Sequence, residues 1–318
     1  MQHEMRPLFI EDREGLKQIR ANSKLKQMWT DKTLYFMLLP GLAYFIIFHV
    51  WPIIGMKLAF YEYRILGHNV FVGLKYFRDL FSTPIFAQVL ENTLIISAMK
   101  MFIIFPIPIL FALMLNEFMN GKFRKAVQVV SYLPHFLSWV VIAGIWFEFL
   151  SPSTGAINEL IKALGFPTHD FLTDKTVIRW ILVASEAWRS VGWDSILFLA
   201  AILGISPSLY EAAYVDGANR WHIVTRIVIP ALYVPMVTIF ILNVGFIMNA
   251  GLDQVINFTN DSVNSQIDII DTYVYRMGLL NGQYSFATAA NLFKSVIGVI
   301  LVLSTHFISK KLTSKGAW

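Results

Sequence analysis

Ionisable residues set inside apolar runs are where this sequence could do chemistry. Lys100 interrupts "TLIISAMKMFIIFPIPILFALML", Glu186, Arg189 and Asp194 share one run near residues 177–205, and Lys294 sits in another near 287–308. A charge at membrane depth is costly, so such residues mark pathways, relays or mutual pairs. Arginine offers a planar fork to a carboxylate and lysine a point charge. Lys100, Arg189 and Lys294 facing one cavity would therefore suit an anionic sugar. Glu186 and Arg189 are i, i+3 neighbours and could equally neutralise each other, whereas Lys100 and Lys294 have no acid nearby in sequence. A neutral sugar would instead use aromatic platforms and amides, which Trp188, Trp193, Asn243, Asn249 and Asn291 could supply, although an aromatic in a span more often packs. The seven histidines are scattered and cysteine is absent. No H-E-x-x-H, G-x-S-x-G or G-x-x-x-x-G-K-[ST] pattern occurs. No catalytic, metal-binding or cofactor-binding residue is expected in this chain.

A second polar feature is "YEAAYVDGANRWHIVTRIVIP", Tyr210 to Pro230. Ser206-Pro207 reads as an N-cap followed by a first-turn proline, and Ser208 with Glu211 fits a capping box. Gly217 suits a left-handed helix terminator. The predicted helix of about nine residues would be about 13 Å long, too short to span a bilayer and sized for docking. Leu209, Ala212, Ala213 and Asp216 would share one face, with the adjacent alanines permitting close approach. A second helical stretch would lead through Ile227 and Ile229 to Pro230. A simple capped turn between two spans would explain the caps and Gly217, but not the order of the remaining residues.

The elements that position these groups follow from composition. The chain of 318 residues is 56% hydrophobic and 15% charged. Soluble domains carry about a quarter charged residues, so the surplus apolar surface belongs in lipid. Runs long enough to cross begin at Leu34, span Thr93–Leu115, Val127–Leu150, Val177–Ile205 and Ile227–Ala250, and end with Ala287–Ile308. The expectation is an all-α polytopic membrane protein with six transmembrane helices, in which Pro40, Pro106, Pro108 and Pro134 kink spans without ending them. The net charge of +5 points to basic loops rather than to nucleic acid. Arg6, Arg13, Lys17, Arg20, Lys24, Lys26, Lys32, Lys122, Arg124, Lys125, Arg220, Arg226, Lys310, Lys311 and Lys315 fall on one side, which the positive-inside rule makes cytoplasmic together with both termini. Residues 1–32 read as a cytoplasmic lead-in whose Leu16, Ile19 and Leu25 could rest on lipid. Residues 33–310 form one membrane domain containing the loop 206–230, and 311–318 a cytoplasmic tail. Segments 61–89, 151–176 and 251–286 would be external, with short interfacial helices. Asp253, Asp261, Asp268 and Asp271 in the last of these read as a solvated face.

The order Glu211-Ala212-Ala213, Asp216-Gly217-Ala218, Ile227, Ile229, Pro230 resembles the EAA signature of binding-protein-dependent ABC importer permeases, with isoleucine in place of the usual leucine before the proline. "LPGLAYFIIF", "SYLPHFLSWVVIAGI", "LSPSTGAINELI", "IDTYVYRMGLLNGQYSFATAANLFKSVIG" and the final Gly-Ala-Trp are similar to the oligosaccharide- and polysaccharide-importing branch. They cover nearly all of the chain from residue 30, and resemble in particular permease subunits of bacterial alginate importers. The resemblance implies a type I importer permease fold in a bacterial inner membrane. It implies a second, different permease chain, two ATPase subunits carrying ATP and Mg, and an extracytoplasmic solute-binding protein. It also implies alternating access driven through the loop containing Glu211, Ala212, Ala213, Asp216, Gly217, Ala218 and Pro230. An ion-driven secondary transporter and a membrane-embedded enzyme are the alternatives. The first leaves the signature unexplained, and the second lacks the metal and nucleophile patterns an enzyme would need.

Overall fold

The computed structural model describes residues 30–117 and 121–313, with side chains as far as Phe307. The expected lipid-resting residues Leu16, Ile19 and Leu25 lie outside the described residues. The chain divides into two compact units, Met1–Lys57 and Leu58–Trp318. Helix α1, Lys32–Phe60, begins in the first. A small antiparallel pair follows, β1 (Tyr61–Glu62) with β2 (Val70–Phe71). Then come α2 (Lys75–Ser82), α3 (Pro84–Glu117), α4 (Gly121–Phe136), α5 (Trp139–Leu150) and α6 (Ala156–Ala163). They are followed by α7 (Ile178–Leu203), α8 (Pro207–Val215) and α9 (Arg220–Gly245). The short α10 (Leu252–Phe258), α11 (Asn264–Ile267) and α12 (Ile270–Tyr275) precede α13 (Tyr284–Thr313).

Four of these helices are long and apolar enough to cross a membrane, and the number rises to six if each of two bent pairs is one span. The bent pairs are α4 with α5, at 109°, and α7 with α8, at 66°. At 26 residues, α7 is long enough to cross by itself, about 39 Å at the α-helical rise. Its middle carries the charges that define the site below.

The expectation that Pro134 only kinks its span is corrected. Pro134 lies in a terminal 3-10 turn, Leu133–Phe136, after which Leu137 and Ser138 are extended. Ser138 then restarts the chain as α5, its hydroxyl accepting the Val141 N–H at 3.4 Å. Proline followed by an extended pair and a serine N-cap ends one helix and begins another.

The other prolines act differently. Three five-residue π-helical turns, Ile46–Val50, Lys100–Ile104 and Val224–Val228, each end two residues before a proline, namely Pro52, Pro106 and Pro230. A proline cannot donate to the carbonyl four residues back, and its ring crowds that carbonyl. Widening the preceding turn by one residue absorbs the conflict without breaking the helix.

Three apolar clusters hold the second unit together. One joins Ile96 of α3, Ile178 and Leu182 of α7, and Val255 and Phe258 of α10. A second joins Ala112 and Leu115 of α3, Phe198 and Ile202 of α7, and Val228 and Leu232 of α9. A third joins Leu80, Phe86, Ile270, Tyr273 and Ala290. Helix α7 thus buries apolar side chains near both ends, and its polar middle is left facing a cavity. Gly192 lets α4 approach α7, because a Cβ there would collide with the Ser131 carbonyl.

Candidate functional site: a charged cavity and a projecting helix

The cavity between the first two clusters measures about 490 Å³, and its lining includes Lys100, His135, Glu186, Arg189, Asp194, Asn243 and Asn249. That volume is of ligand size. Six residues singled out from the sequence, Lys100, Glu186, Arg189, Asp194, Asn243 and Asn249, therefore meet here, contributed by α3, α7, α9 and the turn that follows α9. Lys100 opens the π-turn before Pro106.

Lys100 is not a free cation. Its ammonium lies 3.4 Å from Glu186 Oε2 and donates to the Ala250 carbonyl at 2.6 Å and to Gln254 Oε1. Three acceptors use the three donors of an ammonium. Gln254, fully buried, donates in turn to the Leu182 carbonyl at 2.7 Å and to Ser185 Oγ at 2.8 Å. This network joins α3, α7 and α10. Gly251, at φ +100°, completes it: a Cβ there would stand 3.0 Å from Lys100 Nζ. Neither Gln254 nor Gly251 carries a sequence signal that would single it out.

Glu186 therefore pairs across helices rather than with Arg189. The Arg189 guanidinium donates to the His135 carbonyl at 3.4 Å and lies over the Trp139 ring at 5.1 Å. It makes no ion pair among the described residues, and its buried Nε has no partner. Of the two cations lining the cavity, Arg189 alone keeps donors for a ligand. Trp193 stacks on His135, with ring centroids 4.5 Å apart and planes 4° from parallel.

The remaining candidates lie elsewhere. Trp188 lines a separate apolar cleft against α4 with Phe123, Val127 and Val130. Asn291 and Lys294 line a cavity of about 510 Å³ between α9 and α13, which shares Asn249 with the first. Lys294 forms a close ion pair with Asp271 of α12. The expectation of three basic groups facing one cavity is corrected accordingly. So is the solvated reading of two acids, because Asp271 is taken by Lys294 and Asp268 is buried against Arg276, at 2.6 and 3.2 Å. Charges far apart in sequence met because α12 packs on α13, which helical periodicity cannot foresee.

At the other end of α7, α8 is the nine-residue helix expected. Its closure is a Schellman motif: Gly217 at φ +76°, the Gly217 N–H on the Tyr214 carbonyl at 3.1 Å, and the Ala218 N–H on the Ala213 carbonyl at 2.9 Å. The capping box is not formed, since Ser206 and Ser208 bond to each other at 2.8 Å and Ser206 makes no side-chain cap. The expected face also divides. Tyr210, Ala213 and Ala218 pack inward on the second cluster, whereas Leu209, Glu211, Ala212 and Asp216 are exposed and Val215 is 89% exposed. Asn219 caps the next helix by accepting the His222 N–H at 2.9 Å, and Arg220 donates to the Glu117 carbonyl at 3.1 Å, tying the loop to the end of α3. Pro230 lies inside the continuous helix α9, after its π-turn.

Residues 104–314 match the family described as binding-protein-dependent transport system inner membrane component. The chain is 40% identical to Protein LplB of Bacillus subtilis over 289 residues, 90% of this chain and 91% of that one. It is 39% identical over 306 residues, 95% of each, to YteP of the same organism, named a polygalacturonan/rhamnogalacturonan transport system permease protein. Among solved structures it is similar to a chain of a bacterial alginate ABC transporter in complex with an alginate pentasaccharide-bound periplasmic protein. The TM-score is 0.84 at 39% identity, covering 92% of this chain and 98% of the other.

Proposed function

Because this chain belongs to the family of binding-protein-dependent transport system inner membrane components, we propose that its cavity reads an anionic saccharide through Arg189 and that α8 couples it to an ATPase. The chain is a multi-pass inner-membrane permease subunit of a saccharide ABC importer, with the type I permease fold and a transport rather than an enzymatic role. That overturns the ion-driven transporter and the membrane-embedded enzyme.

The observation that carries the substrate class is the state of the two cavity cations. Lys100 is saturated by Glu186, Gln254 and the Ala250 carbonyl, while Arg189 makes no ion pair among the described residues and has an unmatched buried Nε. A guanidinium placed this way binds a uronate carboxylate with two parallel hydrogen bonds. Asn243 and Asn249 on the same wall suit sugar hydroxyls. Relatives named for polygalacturonan and alginate, both polymers of uronic acids, support the same class.

Alternating access then works as follows. The loop 206–230 and both termini face the cytoplasm, and a second, different permease chain completes the pathway. Two ATPase subunits bind ATP and Mg, receive the exposed face of α8 and move it as a rigid body. The inward face, Tyr210, Ala213 and Ala218, passes that motion to α7 and α9, whose side chains line the cavity. An external binding protein delivers the sugar. The test is uptake into vesicles containing the reconstituted importer. Arg189→Gln is expected to lower uptake of an oligogalacturonate by about tenfold, the worth of one charge-assisted bidentate contact, and to spare a neutral oligosaccharide. Equal loss for both ligands would refute the carboxylate reading.

A further inference from the structure

A second cavity, of about 470 Å³, lies among α2, the segment before α13, and Tyr63, which follows β1. Its walls include Tyr63, Tyr76, Asp79, Tyr273, Tyr284 and Ser285, and no lysine or arginine lines it. The segments that form it connect α1 to α3 and α12 to α13, so they lie at the opposite ends of the spans from α8. In the orientation proposed above this is the external face.

The cavity is built rather than incidental. The Tyr63 N–H donates to the buried Ser285 Oγ at 2.9 Å, fixing the strand end to the start of α13 across 222 residues of sequence. Tyr63 and Tyr284 meet edge to face, with centroids 5.4 Å apart and planes at 82°. That arrangement leaves ring surface open, and both residues are more than 40% exposed. Gly282, at φ +69°, turns the chain at the rim without a side chain. The Asp79 carboxylate makes no ion pair and accepts no hydrogen bond among the described residues, since the Ser82 and Thr83 hydroxyls bond to its backbone carbonyl. Tyr273 is 1% exposed and also lines the cavity.

We propose that this cavity is a second saccharide subsite, taking one neutral pyranose unit at the external mouth. A pyranose has apolar C–H faces that lie on aromatic rings, and hydroxyls that need both acceptors and donors. Open tyrosine rings supply the first. The Asp79 carboxylate supplies an acceptor for two hydroxyls, and the phenol of Tyr273 supplies the donor. The Asp79 carboxylate, in no ion pair among the described residues and in a lining without lysine or arginine, disfavours a uronate. The subsite therefore complements the Arg189 cavity, one selecting neutral units of a mixed saccharide and the other charged ones. This inference rests on the saccharide-importer reading for its ligand class and on the proposed orientation for its placement.

Saturation-transfer NMR on the assembled transporter in nanodiscs, without the binding protein, tests it. The probes are methyl β-D-glucopyranoside, methyl α-L-rhamnopyranoside and the methyl glycoside of D-galacturonate. The two neutral glycosides are expected to receive saturation and the uronate much less. Tyr63→Ala should cut the neutral signal about fivefold, and Asp79→Asn should bring the uronate close to the neutral probes. Tyr63→Phe, which keeps the ring, should retain binding and controls for misfolding in Tyr63→Ala. Absence of saturation in the wild type, or persistence of the signal in both Tyr63→Ala and Asp79→Asn, would overturn the proposal. Loss of binding-protein-stimulated ATP hydrolysis in Asp79→Asn, with no glycoside signal in the wild type, would assign the pocket to protein docking and also overturn it. Uptake by Arg189→Gln decides the anionic reading separately, so the two can fail independently.

Discussion

The central cavity and the α8 knob are both polar interruptions of an apolar chain, but they are assembled over different distances. In the cavity, Lys100 meets Glu186 across 86 residues and Gln254 across 154. In α8, the decisive hydrogen bonds close within five residues, from Gly217 to Tyr214 and from Ala218 to Ala213. The cavity pairs Lys100 with Glu186 and leaves the Arg189 guanidinium without an ion pair among the described residues. The knob does the reverse, packing Ala213 and Ala218 inward and leaving Glu211 and Val215 exposed. A site that selects a ligand needs long-range preorganisation. A site that receives a push needs a stiff local element whose inward face is already packed.

The largest expected effect breaks the knob without touching the cavity. Gly217→Pro forbids the left-handed turn, and Glu211→Lys reverses the exposed charge. Each should lower sugar-stimulated ATP hydrolysis by the purified complex about tenfold or more, while ligand binding to the permease pair persists. Normal stimulation in both variants would remove α8 from the coupling path. The next effect breaks the cavity. Lys100→Met leaves Glu186 and Gln254 facing a methyl group and should cost about 3 kcal/mol of stability, with Lys100→Met/Glu186→Met recovering much of it. Thermal unfolding of the two variants measures the difference, and equal destabilisation by both would show that the pair does not act as a unit. Gly192→Ala sharpens the comparison, because it disturbs the α4–α7 contact beside the cavity while α8 stays intact. A cost of about 2 kcal/mol is expected from the collision with the Ser131 carbonyl.

A charge outside both regions gives the smallest effect. Hydrogen bonds from the Thr176 hydroxyl and N–H, and then from His169, hold the half-buried Asp174 carboxyl below its ordinary value. A depressed carboxylate stabilises the fold above its unfolded pKa and loses that contribution as pH falls through the folded one. Asp174→Asn should therefore lower Tm at pH 7 by at most about 1 °C. The gap from wild type should close as the pH drops below 3.8, the ordinary value for the group. A gap that widened on acidification would reverse the assigned sign.

The same contrast explains what the residues foretold. A first-turn proline, a glycine terminator and small residues announced α8 because their physics is local, whereas the Ser208–Glu211 capping box did not form and the facing erred, since Ala213 is claimed by the second cluster. The spans were legible because their apolar length is a property of contiguous sequence. The charged residues were visible individually, but their partners were not. Nothing local to Lys294 indicates Asp271, and nothing local to Lys100 indicates Gln254. The break at Leu137 escaped because proline inside an apolar run is compatible with both a kink and a stop. The extended Leu137 and Ser138 decide between them.

The π-turn at Lys100–Ile104 has a consequence for how α3 tolerates change. One extra residue in a turn offsets everything downstream by about 100° relative to a regular helix. Lys100 and the later residues Ala112 and Leu115 are thus set in phase with their separate neighbours by a single added position. Deleting one residue between Lys100 and Pro106 would not shorten the span enough to matter to the membrane. It would rotate one half of the helix against the other, so that either the ammonium leaves Glu186 or the packed alanine and leucine turn away from α7.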